Sequence, residues 1–255
     1  MQYRTFDKTG QKVSLLGMGT MRLPVTEDGQ VDREAAISMI RHSIDEGINY
    51  VDTAYMYHDG ESEKIVGQAL KDGYREKVLL ADKMPVWLAK DEEAMRSIFD
   101  EQFARLEVDV IDMYLVHNVT VPVWKRAQKF HLMDFLEEKR AEGKIRHIGF
   151  SFHDQLSLFK EVIDSYPWDF CQIQLNYMDK EFQAGEEGLH YAAEKRDPGH
   201  HYGTAERRKA HRHSASQCKS PLETGRDSAH SGRMGASLGC ESFRNFDHPQ
   251  RDERS

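Results

Sequence analysis

Strand-like and helix-like segments alternate six times through the first 195 residues, and this alternation most constrains the fold. The strand candidates are short apolar and β-branched runs, and the helix candidates repeat apolar residues at helical spacing. Helices that separate strands in this way indicate a parallel sheet. The strand candidates are 13–17, 50–53, 78–83, 111–117, 147–151 and 170–175, and the helix candidates are 32–47, 62–70, 91–106, 133–142, 156–165 and 186–195.

The alternation fits a closed barrel better than an open dinucleotide-binding sheet, because no Gly-x-Gly-x-x-Gly motif follows the first strand. We therefore predict an α/β fold, a (β/α)8 TIM-type barrel that is incomplete at about six units. Segments 3–6 and 12–16, joined around Thr9 and Gly10, also predict a small hairpin at the N-terminus.

The composition changes at residue 196. From there to residue 255 the chain has no valine, isoleucine or tryptophan. Such a segment cannot bury enough apolar surface to offset the entropy of ordering it. We therefore predict two regions, a partial barrel at 1–195 and an irregular, disordered tail at 196–255.

The overall composition excludes several classes of protein. Apolar residues at 39% and charged residues at 31% are typical of a globular protein. The net charge of −8 disfavours nucleic acid as a partner, and no apolar run has the length of about 18 residues that a membrane span needs. Three cysteines at unrelated spacings argue against a disulfide framework, and no signal peptide is apparent, so we expect a cytoplasmic protein. The number of subunits stays open.

Polar residues stand at the predicted carboxyl ends of the strands, where barrels of this kind place their chemistry. Asp52, Lys83, His117 and Ser151 end four strands, Tyr57 lies in the loop after Asp52, and the sixth strand ends in the polar segment 172–176. One such residue alone is more often structural, for example a helix cap. Four of them at neighbouring strand ends, an Asp, a Tyr, a Lys and a His, indicate a reactive site.

These four residue types suit the delivery of a proton to a developing alkoxide. An ammonium near Tyr57 favours the phenolate, so we expect the pKa of Tyr57 to fall below its usual value of about 10. Asp52 would keep Lys83 charged, and His117 can donate to a carbonyl oxygen.

Several motifs surround these residues, namely LGMGTMR at 16–22, VDTAYMY at 51–57, GESE at 60–63, DK at 82–83, DMYLVH at 112–117, GKIR at 143–146 and GFS at 149–151. They resemble the motifs of the aldo-keto reductase family over nearly all of residues 1–195. They most resemble those of a bacterial subgroup whose longer members carry a C-terminal 4Fe-4S ferredoxin-like segment. This chain has no Cys-x-x-Cys, so we do not expect that cluster. We expect no other metal site.

The resemblance implies an oxidoreductase that reduces an aldehyde or ketone to an alcohol by hydride transfer from NADPH, with NADH as the alternative. The family's catalytic tetrad corresponds to Asp52, Tyr57, Lys83 and His117, with Tyr57 as the general acid. The family often has Ser-Asn where this chain has Ser151-Phe152. The residues implied to contact the cofactor are Gly19, Thr20, Met21, Asp52, Ser151 and Gln172.

The expected partner is a small-molecule carbonyl compound. Tyr55 and Trp87 lie near the expected mouth of the barrel, and His153 is a further candidate there. Aromatic walls suit a small apolar or aromatic carbonyl, so we predict that Tyr55 and Trp87 contact the substrate.

A shifted reading frame explains the tail. The family continues after this point with a strand of the type VIIMEPL and then GGKL, whereas this chain has GHHYGTAERRKAH at 199–211. The codons of this segment permit IIMEPL in another frame, and the segments 233–239 and 246–253 permit further family residues in that frame. Both missing strands thus occur in one alternative frame. We infer an inserted base near codon 196, in the gene or in its record.

Three other interpretations of the chain remain. The chain is a non-catalytic, truncated product of a frame-shifted reductase gene that cannot bind its cofactor tightly, or the tail is a genuine basic, disordered extension. The tail's histidines also suggest a metal site, although shifted codons explain them better.

Overall fold

An antiparallel hairpin begins the chain in the computed structural model, which describes residues 1–6, 9–196 and 240–241. Its strands are β1 (Tyr3–Thr5) and β2 (Lys12–Ser14), so the predicted hairpin is confirmed. Phe6 and Val13 are buried and pack against apolar residues at the amino-terminal end of the parallel strands, such as Tyr50. The hairpin therefore covers the end of the sheet opposite the predicted site.

A curled sheet of parallel strands follows, and it confirms the predicted incomplete barrel. Each strand pairs in parallel with the next one along the chain. Six strands come from the first 195 residues, namely β3 (Met18–Gly19), β4 (Tyr50–Asp52), β5 (Leu79–Met84), β6 (Ile111–Val119), β7 (Ile145–Phe152) and β8 (Phe170–Ile173).

The first parallel strand begins later than predicted. We expected it at 13–17, but the structure places it at Met18–Gly19, beside β4. The backbone N–H of Ser14 donates to Asn49 Oδ1 at 2.7 Å, and the residues before it pair with β1. Because these bonds hold the segment in the hairpin, the chain enters the barrel only after it.

A short seventh strand, β9 (Cys240–Glu241), pairs in parallel with β8. We predicted no strand after residue 195, and this strand corrects that expectation. The edge of β8 exposes backbone groups that any extended segment can pair with. The other residues for which we predicted a disordered tail lie outside the described part of the chain.

Seven helices pack around the described sheet, and six were predicted. Two of these helices have aspartate N-caps, since the Asp32 carboxylate accepts from Ala35 N at 3.0 Å and that of Asp91 from Ala94 N at 2.8 Å. The helix missed is the fourth, which has Pro122 in its first turn. The helices are α1 (Arg33–Asp45), α2 (Glu61–Ala69), α3 (Glu92–Leu106), α4 (Val121–Lys129), α5 (Leu132–Ala141), α6 (Leu156–Ser165) and α7 (Gly185–Arg196).

The apolar core lies between the sheet and these helices. Ile40 of α1, Ile65 of α2 and Phe99 of α3 are buried in it. Helices α2 and α3 approach most closely at Gly67, where an added Cβ would lie 2.4 Å from the backbone oxygen of Leu106. No helix in the part of the chain that the structure describes is long and apolar enough to cross a membrane.

We predict that Gly67→Ala destabilises the protein by about 1–3 kcal/mol, because the methyl group would push α2 away from α3. This is the opposite of the gain of about 1 kcal/mol that the same change gives in an unhindered helix. Urea unfolding measures the free energy, with Lys64→Ala on the exposed side of α2 as the control. A stabilised Gly67→Ala variant would contradict the packing described.

Candidate active site

The carboxyl ends of the parallel strands surround a cavity of about 320 Å³. This volume is at the lower end of the range of about 300–1,000 Å³ that is usual for small-molecule sites. Strands β4 to β8 each contribute to its wall, because parallel strands end at the same edge of the sheet. Its lining residues are Gly17, Gly19, Met21, Arg22, Asp52, Tyr57, Lys83, His117, Ser151, His153, Gln172, Ile173 and Gln174.

The ammonium of Lys83 is the centre of the site, and its side chain is only 2% exposed. It donates to Asp52 Oδ1 at 2.5 Å, to the backbone oxygen of Thr53 at 2.8 Å and to the Tyr57 hydroxyl at 3.3 Å. These three bonds use all three of its hydrogens. Burial lowers the pKa of Lys83, but the charge of Asp52 and the hydrogen bond to it outweigh burial and raise the pKa of Lys83 above its usual value. Lys83 therefore stays charged.

The pKa of Tyr57 shifts in the direction opposite to the prediction. Burial raises the pKa of Tyr57 more than the charge of Lys83 lowers it, so the pKa lies above its usual value and not below it. We had considered the ammonium and not the desolvation of the ring. At neutral pH the hydroxyl is therefore protonated, as a proton donor must be.

The turn after Tyr57 fixes the position of its ring. His58 and Asp59 have left-handed backbone angles, with φ of 51° and 54°, which is uncommon for residues other than glycine. His58 Nε2 accepts from the backbone N–H of Leu23 at 3.0 Å. This bond ties the turn to the segment that follows β3.

His117 lies beside Tyr57, with its ring centroid 6.1 Å from that of Tyr57 and 5.0 Å from that of Trp87. Burial, with the charges of Lys83 and His153, holds the pKa of His117 well below its usual value, so the ring is neutral. Its Nδ1 is buried and has no hydrogen-bond partner among the described residues. Gln174 Oε1, also at the cavity, is buried without a partner in the same part of the chain.

Ser151 and Gln172 present polar groups on the side of the cavity next to Asp52. Gln172 Nε2 donates to Asp52 Oδ2 at 3.3 Å, and Ser151 Oγ accepts from the backbone N–H of Asn118 at 2.7 Å. A hydroxyl that accepts in this way still has its own hydrogen to donate. Together with the orphaned atoms of His117 and Gln174, these groups fit a bound molecule that carries an amide.

The structure does not bring every predicted residue to the cavity. Thr20 is buried behind it, where its hydroxyl donates to the Asp52 backbone oxygen at 2.9 Å and accepts from Ser62 at 2.7 Å. The Tyr55 hydroxyl bonds Glu101 at 2.6 Å, outside the cavity. Trp87 touches His117 but is not one of the residues that line the cavity.

Four lining residues were not predicted as site residues, namely Gly17, Arg22, Ile173 and Gln174. Arg22 ends the motif at 16–22, and Gln174 is two residues after Gln172, which puts both glutamines on one face of the chain. The positions of Arg22 and Gln174 in the sequence could therefore have predicted that both line the site. Among residues 1–6, 9–196 and 240–241, no three His, Cys, Asp or Glu side chains are grouped so that they could hold a metal ion.

Comparison with known proteins decides the family. The sequence pattern of the Aldo/keto reductase family matches residues 15–197, which include every residue of the cavity. The chain belongs to the aldo-keto reductase family. The predicted resemblance to this family is therefore confirmed.

Relatives of this aldo-keto reductase chain are longer. Aldo-keto reductase YhdN of Bacillus subtilis is 33% identical over 208 residues, which are 77% of this chain and 60% of that protein. Methylglyoxal reductase YeaE of Escherichia coli is 35% identical over 152 residues, 59% of this chain and 50% of that protein. The chain thus spans between half and three fifths of the length of these two relatives.

Solved aldo-keto reductase structures share the fold. The holo form of AKR11C1 from Bacillus halodurans has a TM-score of 0.59 at 27% identity, over 76% of this chain and 63% of that one. An aldo/keto reductase from Klebsiella pneumoniae, in complex with NADP and acetate, has a TM-score of 0.54 at 29% identity, over 69% and 59% of the two chains.

We predict that His117→Gln makes the free energy of unfolding of this chain less dependent on pH in the acidic range. A folded pKa below the unfolded one gives stability that is present above the unfolded value of about 6.5 and is lost as the pH falls. As the pH falls below about 6.5, the native chain should lose stability because of His117, with a slope that approaches about 1.4 kcal/mol per pH unit while the ring stays neutral in the folded protein. Urea unfolding at several pH values measures this slope.

The control is His131→Gln, which changes a histidine with a side chain that is 69% exposed. In that variant, the free energy of unfolding should change with pH as steeply as it does in the parent chain. An equal slope in His117→Gln and the parent would contradict the buried, neutral state of His117.

Proposed function

We propose that this chain carries the catalytic residues of an NADPH-dependent oxidoreductase that reduces an aldehyde or ketone to an alcohol by hydride transfer. One observation supports this above the others. The buried Lys83 ammonium joins the Asp52 carboxylate at 2.5 Å to the Tyr57 hydroxyl at 3.3 Å, at the rim of a cavity of suitable size.

Tyr57 acts as the general acid in this proposal. Its hydroxyl donates a proton to the carbonyl oxygen while hydride adds to the carbonyl carbon, and NADPH supplies that hydride when it is bound. The proton leaves a phenolate on Tyr57, and the Lys83 ammonium at 3.3 Å stabilises that negative charge. Water from the open side of the cavity then returns a proton to Tyr57.

Asp52 and His117 complete the site. Asp52 keeps Lys83 protonated before and after the proton leaves, because a carboxylate at 2.5 Å favours the charged ammonium. His117 is neutral, so it can bond the carbonyl oxygen without repelling Lys83. The proton therefore comes from Tyr57, and His117 orients the carbonyl.

The nicotinamide carboxamide fits beside Ser151 and Gln172. The Ser151 hydroxyl can donate to the carboxamide oxygen, and Gln172 stands next to it at Asp52. Gly19 and Met21 also line the cavity. The relative from Klebsiella pneumoniae that was solved with NADP supports NADPH over NADH.

The substrate is a small carbonyl compound. The space left in a cavity of about 320 Å³ beside a nicotinamide ring is small. The name of the Escherichia coli relative, methylglyoxal reductase, is that of an enzyme for a small carbonyl compound.

A second candidate is a non-catalytic, truncated product of a frame-shifted gene. The family match ends at residue 197, and the described part of the chain supplies six parallel strands before that point. Barrels of this kind commonly bind phosphate through the loops after strands 7 and 8. A chain without those loops would keep the four catalytic residues but hold NADPH weakly.

We predict that removing one base near codon 196 restores tight NADPH binding and carbonyl-dependent NADPH oxidation, whereas the 255-residue chain binds NADPH weakly. The added loops would contact the phosphates, and the added strands would cover the open edges of the sheet. Fluorescence titration with NADPH on both proteins measures the affinity. Equal affinity would reject the frame-shift explanation and make the tail a cofactor-binding segment.

Removing the general acid should cost about 10²–10⁴-fold in kcat, so we expect that loss in a Tyr57→Phe variant of the in-frame protein. Tyr55→Phe is the matched control, because the Tyr55 hydroxyl bonds Glu101 outside the cavity. Carbonyl-dependent NADPH oxidation measures both. The role of Tyr57 is misassigned if its variant keeps the turnover of the Tyr55 variant.

A further inference from the structure

Two carboxyl groups are completely buried behind Lys83, outside the cavity. They belong to Glu63 of α2 and Asp82 of β5, and both residues have 0% exposure. The two side chains lie within hydrogen-bond distance of each other. Two ionised carboxylates cannot bond, because neither has a hydrogen.

The N–H groups next to the two carboxyls already donate to other oxygens of the pair or of Lys83. Asp82 Oδ1 accepts from the backbone N–H of Lys83 and Asp82 Oδ2 from Gln102 Nε2, both at 2.8 Å. The same Gln102 nitrogen also donates to the Lys83 backbone oxygen at 3.0 Å. Arg105 donates to Glu63 Oε2 at 2.8 Å.

Glu63 Oε1 is then left without a partner among the described residues, although it is buried. Buried acceptors are rarely left without a donor. A proton between Glu63 and Asp82 would supply the missing bond, and the N–H groups of Lys83, Gln102 and Arg105 would keep their bonds to the pair.

The charges around the pair also favour one proton shared between Glu63 and Asp82. Arg105 of α3 faces the pair, and its other nitrogen bonds Glu101 on the exposed side. Tyr114 of β6 is neutral, and the Lys83 ammonium is directed to Asp52. One proton leaves the pair with a single negative charge opposite Arg105, whereas no proton leaves two buried negative charges. Burial raises the pKa of both carboxyls, and the charge of Glu63 raises that of Asp82 further.

We propose that Glu63 and Asp82 share one proton at neutral pH and that this protonated pair positions Lys83. Strand β4 pairs with β5 only as far as Asp52 opposite Ala81, so the backbone of Lys83 has no partner strand on that side. Asp82 and Gln102 take the place of the strand by bonding the N–H and the C=O of Lys83.

The shared proton fixes the Asp82 carboxyl against Glu63 and so holds its bond to the Lys83 backbone. The Tyr114 hydroxyl donates to Gln102 Oε1 and sets the direction of the Gln102 amide. Glu63, Asp82 and Gln102 are thus positioning residues. Their importance for catalysis rests on the proposed function, but the shared proton does not.

Infrared difference spectroscopy on the full 255-residue chain tests whether the Glu63–Asp82 pair holds a proton. A protonated carboxyl absorbs in the carbonyl region above the amide band, and an ionised one does not. We expect such a band at neutral pH in the parent chain and its loss in Glu63→Gln. That variant preserves the contacts, because the Gln amide can donate to Asp82 and accept from Arg105.

The control is Glu101→Gln, which removes the exposed carboxylate on the same Arg105 and should keep the band. A parent chain without the band, or a Glu63→Gln variant with the full band, would overturn the proposal. Because neither NADPH nor a carbonyl substrate is present, such a failure is distinct from a failure of the proposed function.

Hydrogen exchange at the Lys83 amide tests the positioning. In the parent chain, the protection factor of this N–H should fall at alkaline pH as the pair loses its proton. In Glu63→Gln there is no such proton to lose, so protection should persist to higher pH. Equal pH profiles in the two proteins would show that the pair does not position Lys83.

Discussion

The buried ammonium of Lys83 is the interaction on which the rest of the site depends. It lies in a region where an unpaired charge would be strongly unfavourable, so its three acceptors must be fixed in place. Asp52, Thr53 and Tyr57 supply them, and all three come from the end of β4 and the turn after it. The position of Tyr57 is therefore a consequence of the need to pair this charge. The same burial that demands these bonds keeps the proton on Tyr57.

Among the residues that the structure describes, the sheet around this site is open. Its described order runs from β3 to β9, whereas a closed barrel pairs its last strand with its first. The site residues come from β4 to β8, which pair without a gap, so their geometry does not need the missing strands. Phosphate binding by the later loops does need them. Under the frame-shift proposal, the chain would therefore keep the arrangement of its site residues and lose affinity for a dinucleotide.

The sequence predicted those features of the fold and of the site that depend on local residue pattern and on the positions of strand ends. The hairpin and the six parallel strands follow from local pattern, and the strand-end rule located the cavity residues Asp52, Lys83 and His117. Long-range contacts explain what was missed or misplaced. The start of β3 depends on Asn49 bonding Ser14, and the direction of Tyr55 depends on Glu101. The raised pKa of Tyr57 depends on the packing around its ring, which spacing along the chain does not contain.

The central claim is that Tyr57 is a half-buried, neutral phenol held by Lys83 and ready to donate its proton. Spectroscopic titration of tyrosine ionisation, in the parent chain and in Tyr57→Phe, isolates this group as the difference between the two curves. We predict that the difference shows no phenolate through neutral pH and ionisation only above a pH of about 10. A phenolate that forms near neutral pH would contradict the account.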